Sequence, residues 1–296
     1  ARTAIRGKKF FHTLLLFPML IPSLSHGMSL IILFGSNGAL TRFFNISQGI
    51  YGFWGIVTGS VMYSFPIAYL MLLDILRYED AAPYEAASVL GIPPHRKLLS
   101  ITLPYLRKPI INVFFATFTL CVTDYGVSLM VGGTYKTLPL LMYEEVIGRQ
   151  DFAQGSVFGV ILLAPAIAAF VVDMFTHNRT NSTFQPKTFT PRKSRLGHAL
   201  SYIFLSLASV CALVPIASFA VLAFAERYPR DMSFTLHHIL SSIQKGVWGY
   251  LTNSLIIAVC TALLGTVIAF FCAYFCARMP SRSARLLHLA STVSLA

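Results

Sequence analysis

The sequence predicts an all-α fold, a polytopic membrane helix bundle, and three observations carry that prediction. Hydrophobic residues fill 55% of the 296 positions and charged residues only 11%, too few polar groups to cover a water-soluble globule of this size. Apolar runs recur at about 20 residues or more, the length at which a helix crosses a hydrocarbon core of about 30 Å. The polar breaks between those runs alternate between strongly and weakly basic, as loops on opposite faces of a membrane do.

In chain order, the predicted spans lie near 10–34, 50–76, 108–132, 155–175, 199–225 and 250–276, and a seventh begins near Leu286. Pro18, Pro22, Pro66, Pro165 and Pro215 fall inside spans and predict kinks, which a bundle tolerates where neighbours satisfy the freed carbonyls. Gly55 and Gly59, with Gly52 one turn earlier, form a Gly-x-x-x-Gly face that predicts close helix contact. Segments 1–9, 77–108, 176–198 and 277–285 hold 17 of the 23 Lys and Arg residues, and 35–49, 133–154 and 226–249 hold the other 6. The first set is therefore cytoplasmic. The net charge of +12 follows from this topology and from anionic lipid headgroups. The sequence contains no base-reading or stacking module, so membrane lipid is an expected partner and nucleic acid is not.

The cytoplasmic segment 77–108 contains the most specific pattern. Pro83 suits a first helical turn, Ala86 and Ala87 are strong helix formers, and Gly91 takes the left-handed stop conformation. Two short helices are expected, broken at Gly91-Ile92-Pro93-Pro94. Ala86 and Ala87 would leave a bare face that a partner's backbone can approach, and Glu85 places a carboxylate near the positive end of the first helix. Glu85-Ala86-Ala87, three residues, Gly91, nine residues, then Ile101-x-Leu103-Pro104 resembles the cytoplasmic coupling loop of permease subunits from binding-protein-dependent ABC importers. Every fixed position of that pattern matches at its spacing.

The resemblance implies a transport subunit, not an enzyme, in the bacterial inner (plasma) membrane. It implies a cytoplasmic ABC ATPase dimer docked on Glu85–Pro104 and an extracytoplasmic solute-binding protein at the outer mouth. Their motion would switch the bundle between inward-facing and outward-facing states. The chain contains no Gly-x-x-x-x-Gly-Lys-Ser/Thr loop, no Gly-x-Ser-x-Gly elbow and no His-Glu-x-x-His helix. No catalytic residue and no cofactor is therefore expected in it, and ATP and Mg would be bound by the partner ATPase.

A weak internal repeat adds to this picture. Ala1-Arg2 with Arg6, Lys9, Phe10, Phe11 and His12 aligns with Ala277-Arg278, Arg282, Arg285, Leu286, Leu287 and His288 at an offset of 276 residues. The expected repeat holds about six helices, and an even number makes the repeats parallel. On this reading the chain is a fragment of a longer protein. Residues 1–175 are the C-terminal part of a first permease repeat, 176–198 a cytoplasmic linker, and 199–296 the N-terminal part of a second, with its coupling loop beyond Ala296. The linker's polar, Pro-containing composition suits a tether. The fused two-repeat form most resembles importers for ferric iron, with 2-aminoethylphosphonate, thiamine and polyamine systems as near relatives.

Asp124 is the anomaly within the spans. It lies about 24 Å along a helix that enters from the cytoplasm at Lys108, where a carboxylate costs several kcal/mol unless paired or hydrated. Thr123, Tyr125 and Ser128 are candidate hydrogen-bond partners. The stretch Thr123-Asp124-Tyr125-Gly126 through Gly132-Gly133 also resembles the Asp-aromatic-Gly segment at this place in ferric-iron permeases. Asp124 is thus either part of the translocation path or a structural carboxylate.

The other polar residues invite plainer readings. Asp74 and Asp173 sit near cytoplasmic helix ends, within reach of Arg77 or Arg179. The five cysteines, Cys121, Cys211, Cys260, Cys272 and Cys276, read as buried thiols. Cys272 and Cys276 lack a third ligand, and His237-His238 near Asp231 reads as a solvated loop pair, so no metal site is expected. A secondary transporter driven by an ion gradient would also accommodate Asp124, but it has no use for the Glu85–Pro104 pattern. An intramembrane enzyme would need a His, Asp or Glu cluster at one depth.

Overall fold

A computed structural model describes residues 6–45, 49–176 and 195–278. Helices dominate it, and by contacts the chain divides into two units, Ala1–Ala217 and Ser218–Ala296.

The first unit opens with α1 (Lys8–Leu16), a 3₁₀ turn (Phe17–Leu20) and α2 (Ser23–Phe34). The sequence predicts one span over 10–34, whereas the chain bends there by 100°. Pro22 is the cause. It has no N–H to donate and drives its predecessor out of the helical region, and Ile21 is accordingly extended at φ −107°, ψ 134°. The freed Pro18 carbonyl is satisfied twice, by the Ile21 N–H at 3.2 Å and by His26 Nε2 at 3.2 Å. Pro66, Pro165 and Pro215, by contrast, sit inside unbroken helices.

After α3 (Ala39–Phe43) comes α4 (Phe53–Arg77), the first full-length span. Next are α5 (Ala82–Val89), α6 (Pro94–Lys97), a π-helical turn (Leu98–Thr102) and α7 (Leu103–Val122). The predicted span 108–132 is also broken: α7 ends at Val122 and a separate α8 runs over Gly126–Val131. Side chains compete with the helical ladder at this point. The Thr123 hydroxyl donates back to Thr119 O at 3.0 Å, and the Asp124 carboxylate accepts the Val127 N–H at 3.1 Å. Then follow α9 (Leu138–Tyr143), a π-helical turn (Glu144–Gly148), α10 (Phe152–Thr176) and α11 (Arg195–Ala223).

The core of the first unit lies where α2, α4 and α8 meet. Leu30, Val127 and Val131 are its fully buried members, flanked by Ile31, Phe34, Ile56 and Met130. Glycines make this approach possible, as the Gly-x-x-x-Gly pattern predicts. A Cβ on Gly59 would stand 2.5 Å from Val127 Cγ1, one on Gly27 2.6 Å from Met130 Cβ, and one on Gly126 2.5 Å from Ser23 Oγ. Each distance is below what a real side chain tolerates.

The second unit continues from the end of α11 into a hairpin, the only strands among the described residues. Strand β1 (Ala225–Arg227) pairs antiparallel with β2 (Asp231–Phe234), with Ala225 opposite Phe234 and Arg227 opposite Asp231. The Ser233 N–H donates to Asp231 at 2.9 Å and, with the Ser233 hydroxyl and Arg227, holds that carboxyl below its ordinary pKa. Helix α12 (His237–Gln244) and the long α13 (Val247–Arg278) complete the described chain.

Among the described residues three helices, α4, α11 and α13, are long and apolar enough to span a membrane unaided, and the bent α1–α2 pair is a fourth candidate. None of the residues in the most apolar stretch of α13 is buried against other described residues.

Candidate functional site

The loop between α4 and α7 folds as a compact knob outside the apolar spans. On α5 the inner face is Ala81, Tyr84 and Ala87, at 2%, 8% and 4% exposure, spaced three residues apart. The opposite face carries Glu85, Ala86, Val89 and Leu90, all exposed, the last two at 89% and 76%. The expectation of a bare surface made by both alanines is corrected here: Ala86 faces out and Ala87 packs inward. The three-residue spacing places Ala87 on the buried stripe with Tyr84.

Gly91 behaves as the sequence predicts. Its φ is +68° and nothing lies within 4 Å of where a Cβ would be, so the glycine is needed for the left-handed turn and not for space. The turn is closed by Leu90 N–H to Ala86 O at 3.1 Å and Ile92 N–H to Ala87 O at 3.0 Å. The second helix of the loop is only α6, which runs through the π-helical turn straight into α7. Ile101 is half-buried in that turn, and Leu103 and Pro104 are exposed at the start of α7.

Three residues that the sequence reading did not single out hold the knob together. Glu79, Tyr84 and Thr102 are buried, at 3%, 8% and 7% exposure. The Tyr84 hydroxyl donates to Glu79 Oε1 and lies 2.6 Å from Thr102 Oγ1. Ser88 Oγ donates to Tyr84 O at 2.7 Å and accepts from Lys97 Nζ at 2.6 Å. Tyr105, two residues into α7, reaches Ile75 O at the end of α4 at 3.3 Å. These bonds tie α5 to the π-helical turn and α7 to α4. The available signal was a tyrosine and a glutamate within a polar break, at a spacing without helical meaning.

Asp124 lies half-buried in the break between α7 and α8. Its hydrogen bond comes from the Val127 backbone, and the anticipated partners act elsewhere: Thr123 bonds within α7, and Tyr125 stacks on Tyr143 with ring centroids 4.8 Å apart. Asp74 pairs with Arg77 at 3.8 Å in an exposed contact. His238 Nε2 donates to Ala225 O at 3.1 Å, so it staples α12 to the hairpin. Cys121, Cys211, Cys260 and Cys272 are free thiols, and Cys211 and Cys260, expected to be buried, are not covered by neighbouring protein. The side chains of Cys276 and Asp173, and Arg179 with most of the predicted linker, lie outside the described residues. Among the described residues no group of three His, Cys, Asp or Glu is placed to hold a metal.

Several known proteins are similar to this chain. A ferric transport system permease protein, FbpB, of Actinobacillus pleuropneumoniae is 25% identical over 288 residues, covering 91% of this chain and 41% of that one. A thiamine transport system permease protein, ThiP, of Brucella abortus is 22% identical, covering 99% and 53%. A molybdenum transport system permease protein, ModB, of Azotobacter vinelandii is 29% identical, covering 52% and 71%. The chain spans about half the length of the ferric and thiamine relatives. These relatives are permeases, transport components and not enzymes. No solved structure matches. The profile of the binding-protein-dependent transport system inner membrane components matches residues 3–177, more than half of the sequence. This chain, a multi-pass protein of the inner membrane, therefore belongs to the binding-protein-dependent transport system inner membrane component family.

Proposed function

We propose that this chain is the permease part of an ABC importer that carries ferric iron from an extracytoplasmic binding protein across the inner membrane. Separate ATPase subunits bind ATP and Mg and dock on the Glu85–Pro104 knob. The observation that carries this reading is the construction of the knob. An exposed face of Glu85, Ala86, Val89 and Leu90 stands outside the spans, and a buried Glu79–Tyr84–Thr102 network underlies it. A soluble partner gains by covering such a face, since exposed Val and Leu return about 25 cal/mol per Å² when buried. Only a stiff contact converts a partner's motion into a population shift of the bundle.

On this reading 1–175 and 199–296 are parts of two parallel permease repeats joined by a tether at 176–198. Asp124 borders the translocation path at the α7–α8 break. Iron is favoured because ferric permeases match 91% of the chain at 25% identity. Thiamine is the second reading, because its permease matches 99% at lower identity.

The test is mild-detergent purification of the full-length protein with mass spectrometry of what stays bound. Uptake is then measured in vesicles supplied with the binding protein and either ferric iron or thiamine. A co-purifying P-loop ATPase and iron uptake that stops without ATP are expected. Uptake driven by an ion gradient without an ATPase would overturn the assignment.

A further inference from the structure

We infer that α12 is an interfacial helix that lies flat on the membrane, its apolar face in the lipid headgroup and acyl-chain boundary. Residues 224–246 connect α11 to α13, and both are apolar enough to span, so this connection returns to the membrane face it left. By the charge balance of the loops, that face is the outer one.

The α12 segment is amphipathic in a way its protein neighbours do not use. At 100° per residue, Leu236, Ile239, Leu240 and Ile243 fall within an arc of about 100°, and they are 48%, 37%, 57% and 42% exposed. The opposite side carries His238, Ser241, Ser242 and Lys245.

The hairpin sits on that polar side, because His238 Nε2 donates to Ala225 O and Glu226 O at 3.1 and 3.3 Å. The hairpin is bonded to the polar side through His238, and the apolar side carries no such contact and stays open. Lipid is the occupant that the position selects. Only Lys245 and Gly246 separate α12 from α13, which enters the bilayer at Val247. Trp248 and Tyr250, 62% and 72% exposed, occupy its first turn, where aromatic side chains mark the headgroup level. Gly246, at φ +78°, makes the turn from the membrane plane into the span. An amphipathic helix at that depth, with a basic residue at its edge, binds a bilayer surface.

The experiment uses the full-length protein in phosphatidylcholine vesicles whose acyl chains carry bromine, which quenches tryptophan on contact. Trp54, Trp248 and every tryptophan outside these 296 residues are replaced by Phe, and single tryptophans are placed as Leu240→Trp, Ile243→Trp or Ser242→Trp. Two positions on the apolar face keep the test intact if one variant fails to fold. Quenching at 240 and 243 is expected to exceed that at 242 by about twofold or more. Equal quenching at the three positions would overturn the proposal by showing that the helix stands in water. Blue-shifted emission at 240 and 243 without bromine quenching would overturn it by showing that protein covers the face.

Discussion

Replacing Tyr84 by Phe removes one oxygen from the centre of the knob and leaves the ring in place. The tyrosine is 8% exposed, and its hydroxyl donates to the Glu79 carboxylate and lies 2.6 Å from Thr102 Oγ1. A hydrogen bond to a charged group contributes about 1.5–3 kcal/mol and a neutral one about 0.5–1.5. The loop should therefore lose roughly 2–4 kcal/mol of local stability, while the spans, which do not touch this oxygen, keep theirs. At about 1.4 kcal/mol per factor of ten, amide exchange in 82–103 should accelerate by roughly 30-fold to 1,000-fold. Exchange in α4 and α8 should stay as it was.

Hydrogen exchange with mass spectrometry on the detergent-solubilised protein reads this directly. If the knob is the lever proposed above, ATP hydrolysis by the docked ATPase continues and solute uptake falls, because force enters a softened loop. Unchanged exchange across 82–103 would refute the claim that this network holds the knob rigid. Accelerated exchange with fully coupled uptake would refute the claim that transport needs the rigidity.

Other perturbations follow from the same geometry. Gly91→Leu places a side chain at φ +68° and should cost about 1–2 kcal/mol through strain alone, because the space is open; Glu85→Arg should leave the fold intact and reduce ATPase co-purification. Wild-type uptake by both variants at equal protein level would remove the docking assignment. Gly126→Ala brings a Cβ to 2.8 Å from the Leu24 backbone nitrogen, and overpacking of this kind costs about 1–3 kcal/mol. Thermal unfolding in detergent should show it, and an unshifted transition would contradict the close α2–α8 approach. Asp124→Asn keeps an acceptor for the Val127 N–H and should fold normally while uptake falls. Uptake at the wild-type rate would make the carboxylate a helix cap and nothing more.

The amino-acid sequence by itself settled the membrane class, the positions of the long helices α4, α10, α11 and α13 to within a few residues, and the helix–Gly91–helix order of the 77–108 loop. Hydropathy, charge and spacing are properties of the chain that need no neighbour to be read. Gly91 belongs with them, because its turn is a local backbone requirement.

What depended on competition between partners was decided by the tertiary structure. Pro22 bends its segment by 100°, with Ile21 extended before it, whereas Pro66 sits inside an unbroken helix. The break at Asp124 exists because one carboxylate caps α8 in place of a continuing ladder. Ala86 faces out and Ala87 faces in because Tyr84 is drawn toward Glu79 and Thr102. Composition reports which solvent a segment prefers; only packed neighbours determine which way each side chain turns and where a helix stops.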